Sequence, residues 1–163
     1  MRLFLAVLIS AFLALFSAPQ ARAAGKQISE GLWLTDDRSL VVSVKPCGDT
    51  ICGTVYWFED DIPPFDVKNP DPARRRIPLC GLNVLGGFRQ VSDREWIDGT
   101  VYISATGDTY RATVQLLPSG NAVVRGYIFM PLFGQSMILT PVSKKDYPEC
   151  RKPKMPQRAP GAL

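Results

Sequence analysis

Between residues 31 and 142 the chain alternates apolar and polar positions with a period of two, the spacing that puts successive side chains on opposite faces of a β-strand. Residues 109–116 show it most cleanly, with Tyr110, Ala112, Val114 and Leu116 on one face and Thr109, Arg111, Thr113 and Gln115 on the other. Leu40, Val42 and Val44 alternate in the same way with Val41, Ser43 and Lys45, and Ile51, Val55 and Trp57 with Thr54, Tyr56 and Phe58. Short turn signals separate these runs: Asp36-Asp37-Arg38-Ser39, Gly48-Asp49, Ser92-Asp93, Thr106-Gly107-Asp108 and Pro118-Ser119-Gly120-Asn121. The pattern predicts eight strands near 31–35, 40–46, 51–58, 86–91, 95–104 with a kink at Gly99, 109–117, 122–130 and 135–142.

No window of a dozen residues in this region carries a 3.6-residue period, which argues against crossover helices and a parallel sheet. The expected class is all-β, a small antiparallel up-and-down β-barrel of about eight strands, because ring closure removes the sticky edges a meander leaves open. A two-sheet β-sandwich is the alternative. Such a barrel has an interior that side chains just fill or that holds one small ligand. Two segments depart from the pattern. Residues 60–80 form a long connection rich in Pro and charge, a length associated with function or disorder. Residues 144–163 form a basic, Pro-rich tail, with Pro153, Pro156 and Pro160 opposing helix after Cys150.

The N-terminus adds a compartment. Arg2, an apolar run at 3–16 broken only by Ser10, and Ala21-Arg22-Ala23 have the three parts of a secretory signal peptide, with cleavage between Ala23 and Ala24. The run is too short for a transmembrane anchor, and no cysteine follows the cleavage site to take a lipid. The expected division is therefore a signal peptide at 1–23, a barrel at 24–143 and the tail at 144–163, in a periplasmic or secreted protein.

In an oxidising compartment the four cysteines, Cys47, Cys52, Cys80 and Cys150, read as two disulfides with three formal connectivities. Spacing favours one of them. Gly48-Asp49 turns the chain between two strand-like runs, so Cys47 and Cys52 face each other across a hairpin, and Cys80 pairs with Cys150 by elimination. The C-x4-C spacing in a β context speaks against a redox-active pair.

Charge and composition narrow the chemistry. The formal charge of +4 falls to +2 without Arg2 and Arg22, and the tail alone carries +4, which leaves a slightly acidic body. Nucleic acid is thus not an expected partner, while the tail allows weak, salt-sensitive contact with an anionic surface. The chain contains no histidine, which removes Ser-His-Asp and Cys-His nucleophile arrangements and imidazole metal sites.

The long loop and the strands around it carry a further pattern. Asp66-Val67-Lys68-Asn69-Pro70-Asp71, Arg74-Arg75-Arg76-Ile77-Pro78-Leu79-Cys80-Gly81-Leu82 and Leu85-Gly86-Gly87-Phe88 resemble the D-x-x-NPD, R-x-R-PL-x-G and L-x-GF series of an exported bacterial family, domain of unknown function 2147. Gly31-Leu32-Trp33, Cys47-Gly48-Asp49-Thr50-Ile51-Cys52-Gly53, Arg125-Gly126-Tyr127 and Leu132-Phe133-Gly134 resemble its G-x-W, C-x4-CG, RGY and LFG elements. Two positions depart from it: Asp98-Gly99 stands where the family has Gly-Gly after the Trp, and Leu139-Thr140-Pro141 where it has Trp-x-Arg. The resemblance spans about residues 29–142 and implies a lipocalin-like barrel; it implies no activity.

Candidate sites follow from these residues. Asp66, Asn69, Asp71, Arg74 and Arg76 form the densest polar cluster, in which arginines at a barrel rim would hold an anionic head group by paired hydrogen bonds. The competing reading makes Asn69-Pro70-Asp71 a turn whose side chains bond nearby backbone. Trp33, Trp57, Phe88 and Tyr110 are the aromatics expected inside, as core filling or as cavity lining. Glu59-Asp60-Asp61 with Asp66 lacks the spacing and the turn glycine of a calcium loop, having Pro63-Pro64 instead, so neither a metal nor a cofactor is expected.

The functional expectation is a non-enzymatic, monomeric exported barrel that binds a small apolar or amphipathic molecule in or at its mouth. The alternative is a filled barrel serving as an interaction module of the cell envelope. An enzyme is disfavoured, since neither G-x-S-x-G nor S-x-x-K occurs.

Overall fold

The computed structural model describes residues 30–153. The signal peptide expected at 1–23 and the tail beyond residue 153 lie outside the described residues. Eight strands run in chain order: β1 Gly31–Thr35, β2 Leu40–Cys47, β3 Thr50–Phe58, β4 Asn83–Ser92, β5 Glu95–Ile103, β6 Asp108–Leu116, β7 Ala122–Tyr127 and β8 Gln135–Val142. Each pairs antiparallel with its neighbour, and β8 returns to β1 through Leu32↔Val142, Trp33↔Pro141, Leu34↔Thr140 and Thr35↔Leu139, which closes the barrel. The all-β, up-and-down barrel expected from the alternation is the fold, and the two-sheet sandwich is excluded.

Inward-facing positions supply one continuous core. Trp33, Val42, Val44, Ile51, Phe88, Trp96, Ala112, Val114 and Val124 are among its buried members, with Leu40, Tyr110 and Leu116 packed against them. The aromatic bulk lies toward the end bearing the 48–49, 93–94 and 117–121 turns, where Phe88 and Trp96 plug the barrel. Room for Phe88 comes from Gly99 on β5, at which an added Cβ would overlap the Phe88 ring.

The kink expected near Gly99 is a register shift between Trp96 and Gly99. Asp98 takes φ 62 there, a left-handed conformation that Asp tolerates better than most side chains, and its carboxylate accepts from Arg89 at 2.6 Å.

Alternation also fails within β3. Val42 pairs with Val55 but Val41 pairs with Trp57, so Tyr56 is an extra residue in β3, a β-bulge. Parity inverts past it. Phe58, opposite Leu40, joins the interior, while Tyr56 and Trp57 both pack outside against Leu32, Leu34 and Val41. The interior position expected for Trp57 is therefore corrected, because one inserted residue moves every later side chain to the other face.

This outer apolar patch is covered by the chain that follows β8. Tyr147 packs edge-on against Trp57 with ring centroids 4.9 Å apart, and the Cys150 amide donates to the Tyr56 carbonyl at 2.8 Å. Residues 144–150, grouped with the tail by charge, are thus part of the packed domain. The disulfides are Cys47–Cys52 across the β2–β3 turn and Cys80–Cys150, which ties this strap to the long loop.

Two strand ends differ from expectation by three residues. β4 starts at Asn83, since Asn83 and Leu85 pair with Thr54 and Gly53 even though Gly86-Gly87 resembles a turn; Gly87, at φ 72, absorbs the irregularity. β7 stops at Tyr127 because its pairing with β8 ends at Gly126↔Gln135, leaving Ile128, Phe129 and Met130 without a partner strand.

The tight Phe88–Gly99 contact makes a prediction. Gly99→Ala is expected to destabilise the barrel by about 1–3 kcal/mol, the usual cost of overpacking. Urea unfolding should show a lower midpoint at unchanged slope, and Phe88→Leu in the same chain should restore part of the loss; equal midpoints for wild type and Gly99→Ala would refute the contact.

Candidate functional site

The barrel is filled at one end and hollow at the other. The hollow end carries the 36–39, 104–107 and 128–134 turns and the long β3–β4 loop. A cavity of about 570 Å³ opens there, walled by Val101, Ile103, Tyr110, Val124, Gly126, Tyr127 and Met137. Asp36, Thr106, Gln135 and Ser136 supply polar groups at its edge, and Ile128 and Phe133 reach it from the β7–β8 loop. A volume of this size matches a small-molecule site, mostly apolar with a few orienting polar groups.

A second cavity of about 360 Å³ adjoins it and shares Ile103 and Met137. Its roof is the long loop, through Ile62, Pro63, Phe65, Val67 and Leu79, and its edge carries Asp37, Asp61 and Lys68. The loop is a folded structure. Its base closes through a Phe65↔Pro78 bridge, and the Asp66 and Leu79 amides donate to the Ile77 and Pro64 carbonyls. Leu79 is buried in the barrel core, with Ile62 and Leu82 packed against it. At the 104–107 turn the backbone of Gly107, at φ 84, lies against the Lys68 carbonyl, where any side chain would collide.

Asp66 anchors the loop. Its side chain is 1 % exposed and accepts from Tyr102 Oη at 2.7 and 2.9 Å and from Asn69 Nδ2 at 2.6 Å. Asn69 Oδ1 accepts from the Asp71 amide, Asp71 Oδ1 caps Ala73 at the start of a short 3-10 turn, and Arg75 Nε donates to the Asn69 carbonyl. The polar groups of Asp66, Asn69 and Asp71 are thus engaged in turn chemistry. Burial, and after it the hydrogen bond and charge of Asp66, push the Tyr102 phenol up to about 12.

The arginines lie elsewhere than the mouth. Arg74 faces a separate hollow of about 310 Å³ on the outer wall, with Asp66, Asn69, Pro70, Thr100, Tyr102 and Thr109, and Arg76 is exposed outside all three spaces. Of the expected aromatics, Tyr110 lines the large cavity, Phe88 is core at the filled end, and Trp57 is on the outer wall. Trp33 is fully buried opposite Pro141. Among the described residues the Trp33 indole Nε1 is the one buried side-chain nitrogen or oxygen without a hydrogen-bond partner, and it sits beside Gly31 at the filled end.

Sequence reasoning missed Ile103, Met137 and Gln135 as cavity wall. Extending the inward parity of Val101 and Leu139 toward the mouth would have found them. Asp36 and Ser136 carried no such signal, since only the meeting of the first turn with the start of β8 puts them at the same opening.

The geometry has counterparts among known proteins. A family described as "Uncharacterized protein conserved in bacteria (DUF2147)" matches residues 31–140. Among solved structures, protein HP1028 from the human pathogen Helicobacter pylori, described as belonging to the lipocalin family, is similar with a TM-score of 0.66 at 19% identity, over 72% of this chain and 85% of that one. At that identity the likeness concerns the fold alone. A comparison with curated proteins found no match.

The anchor predicts a pH dependence. Tyr102 titrates near 12 in the folded chain against 10.0 ordinarily, so the stability it contributes is complete below pH 10 and is lost as pH rises toward 12. Tyr102→Phe should cost about 2 kcal/mol at neutral pH, the scale of a hydrogen bond to a charged group. It should also flatten the alkaline decline. Urea titrations of both proteins across that range check this, and parallel declines would count against the anchor.

Proposed function

Given that the chain belongs to the DUF2147 family of bacterial proteins, we propose that it is an exported binding protein that holds a small apolar or amphipathic molecule at the open end of its barrel. The observation that carries this reading is the cavity of about 570 Å³, continuous with the barrel interior and walled by Val101, Ile103, Tyr110, Val124 and Met137. Two disulfides support an oxidising compartment. The lipocalin-like barrel supports binding rather than catalysis, and nothing in the reading requires a reacting group.

Charge at the cavity edges refines the ligand. The two cavities together are bordered by Asp36, Asp37 and Asp61 against Lys68 alone. A neutral or cationic polar end, able to donate hydrogen bonds to Asp36, Gln135 or Ser136, suits this rim better than a carboxylate. The arginine clamp expected from the loop does not enter the reading, because Arg74 and Arg76 lie outside both cavities.

Gly126 provides the test. A Cβ there meets Val101 Cγ1 at 3.5 Å and Tyr110 Cβ at 3.6 Å, ordinary contacts, so a larger side chain fits the backbone and occupies the cavity. Wild-type protein is expected to bind the neutral apolar fluorophore N-phenyl-1-naphthylamine saturably at one site, and Gly126→Leu to bind at least tenfold more weakly at an unchanged thermal midpoint. Absence of saturable binding, or equal affinity in the variant, would overturn the proposal.

A further inference from the structure

The β7–β8 connection places Ile128, Phe129, Met130, Leu132 and Phe133 at 67, 89, 49, 75 and 80 % exposure. No charged residue occurs between Arg125 and Lys144. This loop is held in shape, since Arg125 donates from its guanidinium to the Pro131 and Leu132 carbonyls and to Ser136 Oγ. Gly134 also lies so close to the Gly126 carbonyl that a Cβ would not fit. An ordered apolar tip of this kind marks an interaction site.

The loop has two sides. Ile128 and Phe133 border the cavity, so a bound molecule would cover part of them. Phe129, Met130 and Leu132 do not border it, and no occupant of the cavity covers them. We propose that these three side chains insert into the interfacial layer of a phospholipid bilayer, docking the barrel mouth-first on a membrane. The inference goes beyond the cavity reading and rests on the outward side chains alone.

Area and charge select a bilayer over a second copy or a rigid protein partner. At the exposures above, three side chains of this size offer roughly 400 Å². A stable protein interface needs about 800 Å² from each partner, with complementary shape. A bilayer interface demands no matching shape and accepts a narrow apolar tip several ångströms deep. Arg111, exposed on the adjoining wall with its guanidinium over the Tyr127 ring at 5.7 Å, stands just below the loop and suits lipid phosphate.

Delipidated protein co-sedimented with phosphatidylcholine vesicles at high salt tests this directly. Wild type is expected to partition onto the vesicles, and Phe129→Ser/Leu132→Ser to partition at least tenfold less at the same thermal midpoint. Gly126→Leu, which blocks the cavity, should still bind vesicles, so failure of the cavity reading would leave this result standing. The proposal is overturned if wild type stays in solution, if the double variant partitions equally, or if the loop instead drives a concentration-dependent dimer that the double variant abolishes.

Discussion

The pairing of β8 with β1 is the constraint on which the rest of this structure depends. Once Leu32–Thr35 is bonded to 139–142, every strand has two neighbours, and each side chain on a strand points either into a bounded interior or out to the surroundings. Interior volume then becomes the scarce quantity. At one end it is consumed by Trp96 and Phe88, the latter accommodated only because Gly99 has no side chain. Toward the other end the inward residues include Gly126, and space remains. The protein is a cup for this reason, rather than a solid rod or a through-channel.

Closure alone would leave the cup's rim ragged. The long loop organises it by placing Leu79 in the core and by burying one carboxylate. A carboxylate as enclosed as Asp66 is tolerable only with donors on its oxygens, and Tyr102 and Asn69 supply them. That requirement makes the loop a fixed roof over the smaller cavity. The opposite rim is organised differently, by the Arg125 guanidinium gathering backbone carbonyls beneath an apolar tip. One side of the mouth is thus polar and folded down, and the other is apolar and held up.

Most of the fold was legible in the chain itself. Period-two alternation and the turn signals place all eight strands, and a four-residue gap between Cys47 and Cys52 is the separation that a hairpin bridges. The turn reading of Asn69-Pro70-Asp71 was also legible, because short polar side chains satisfy nearby amides whatever surrounds them. The Trp57 position was not. Nothing in Val55-Tyr56-Trp57-Phe58 announces which residue is the extra one, since the bulge is defined by the pairing with β2 and not by β3 alone.

The candidate site divides along the same line. Local periodicity determined which residues could face inward, and the order of hairpins determined a meander able to close, because both depend on neighbours a few positions apart. Which inward residues meet a filled end and which a void, where Arg74 and Asp36 lie relative to the mouth, and whether 128–133 continues a strand or stands free were decided only by the tertiary structure. These depend on how eight strands share one enclosed volume. No single segment carries that information, because the space left beside Gly126 is the remainder after every other side chain has been placed.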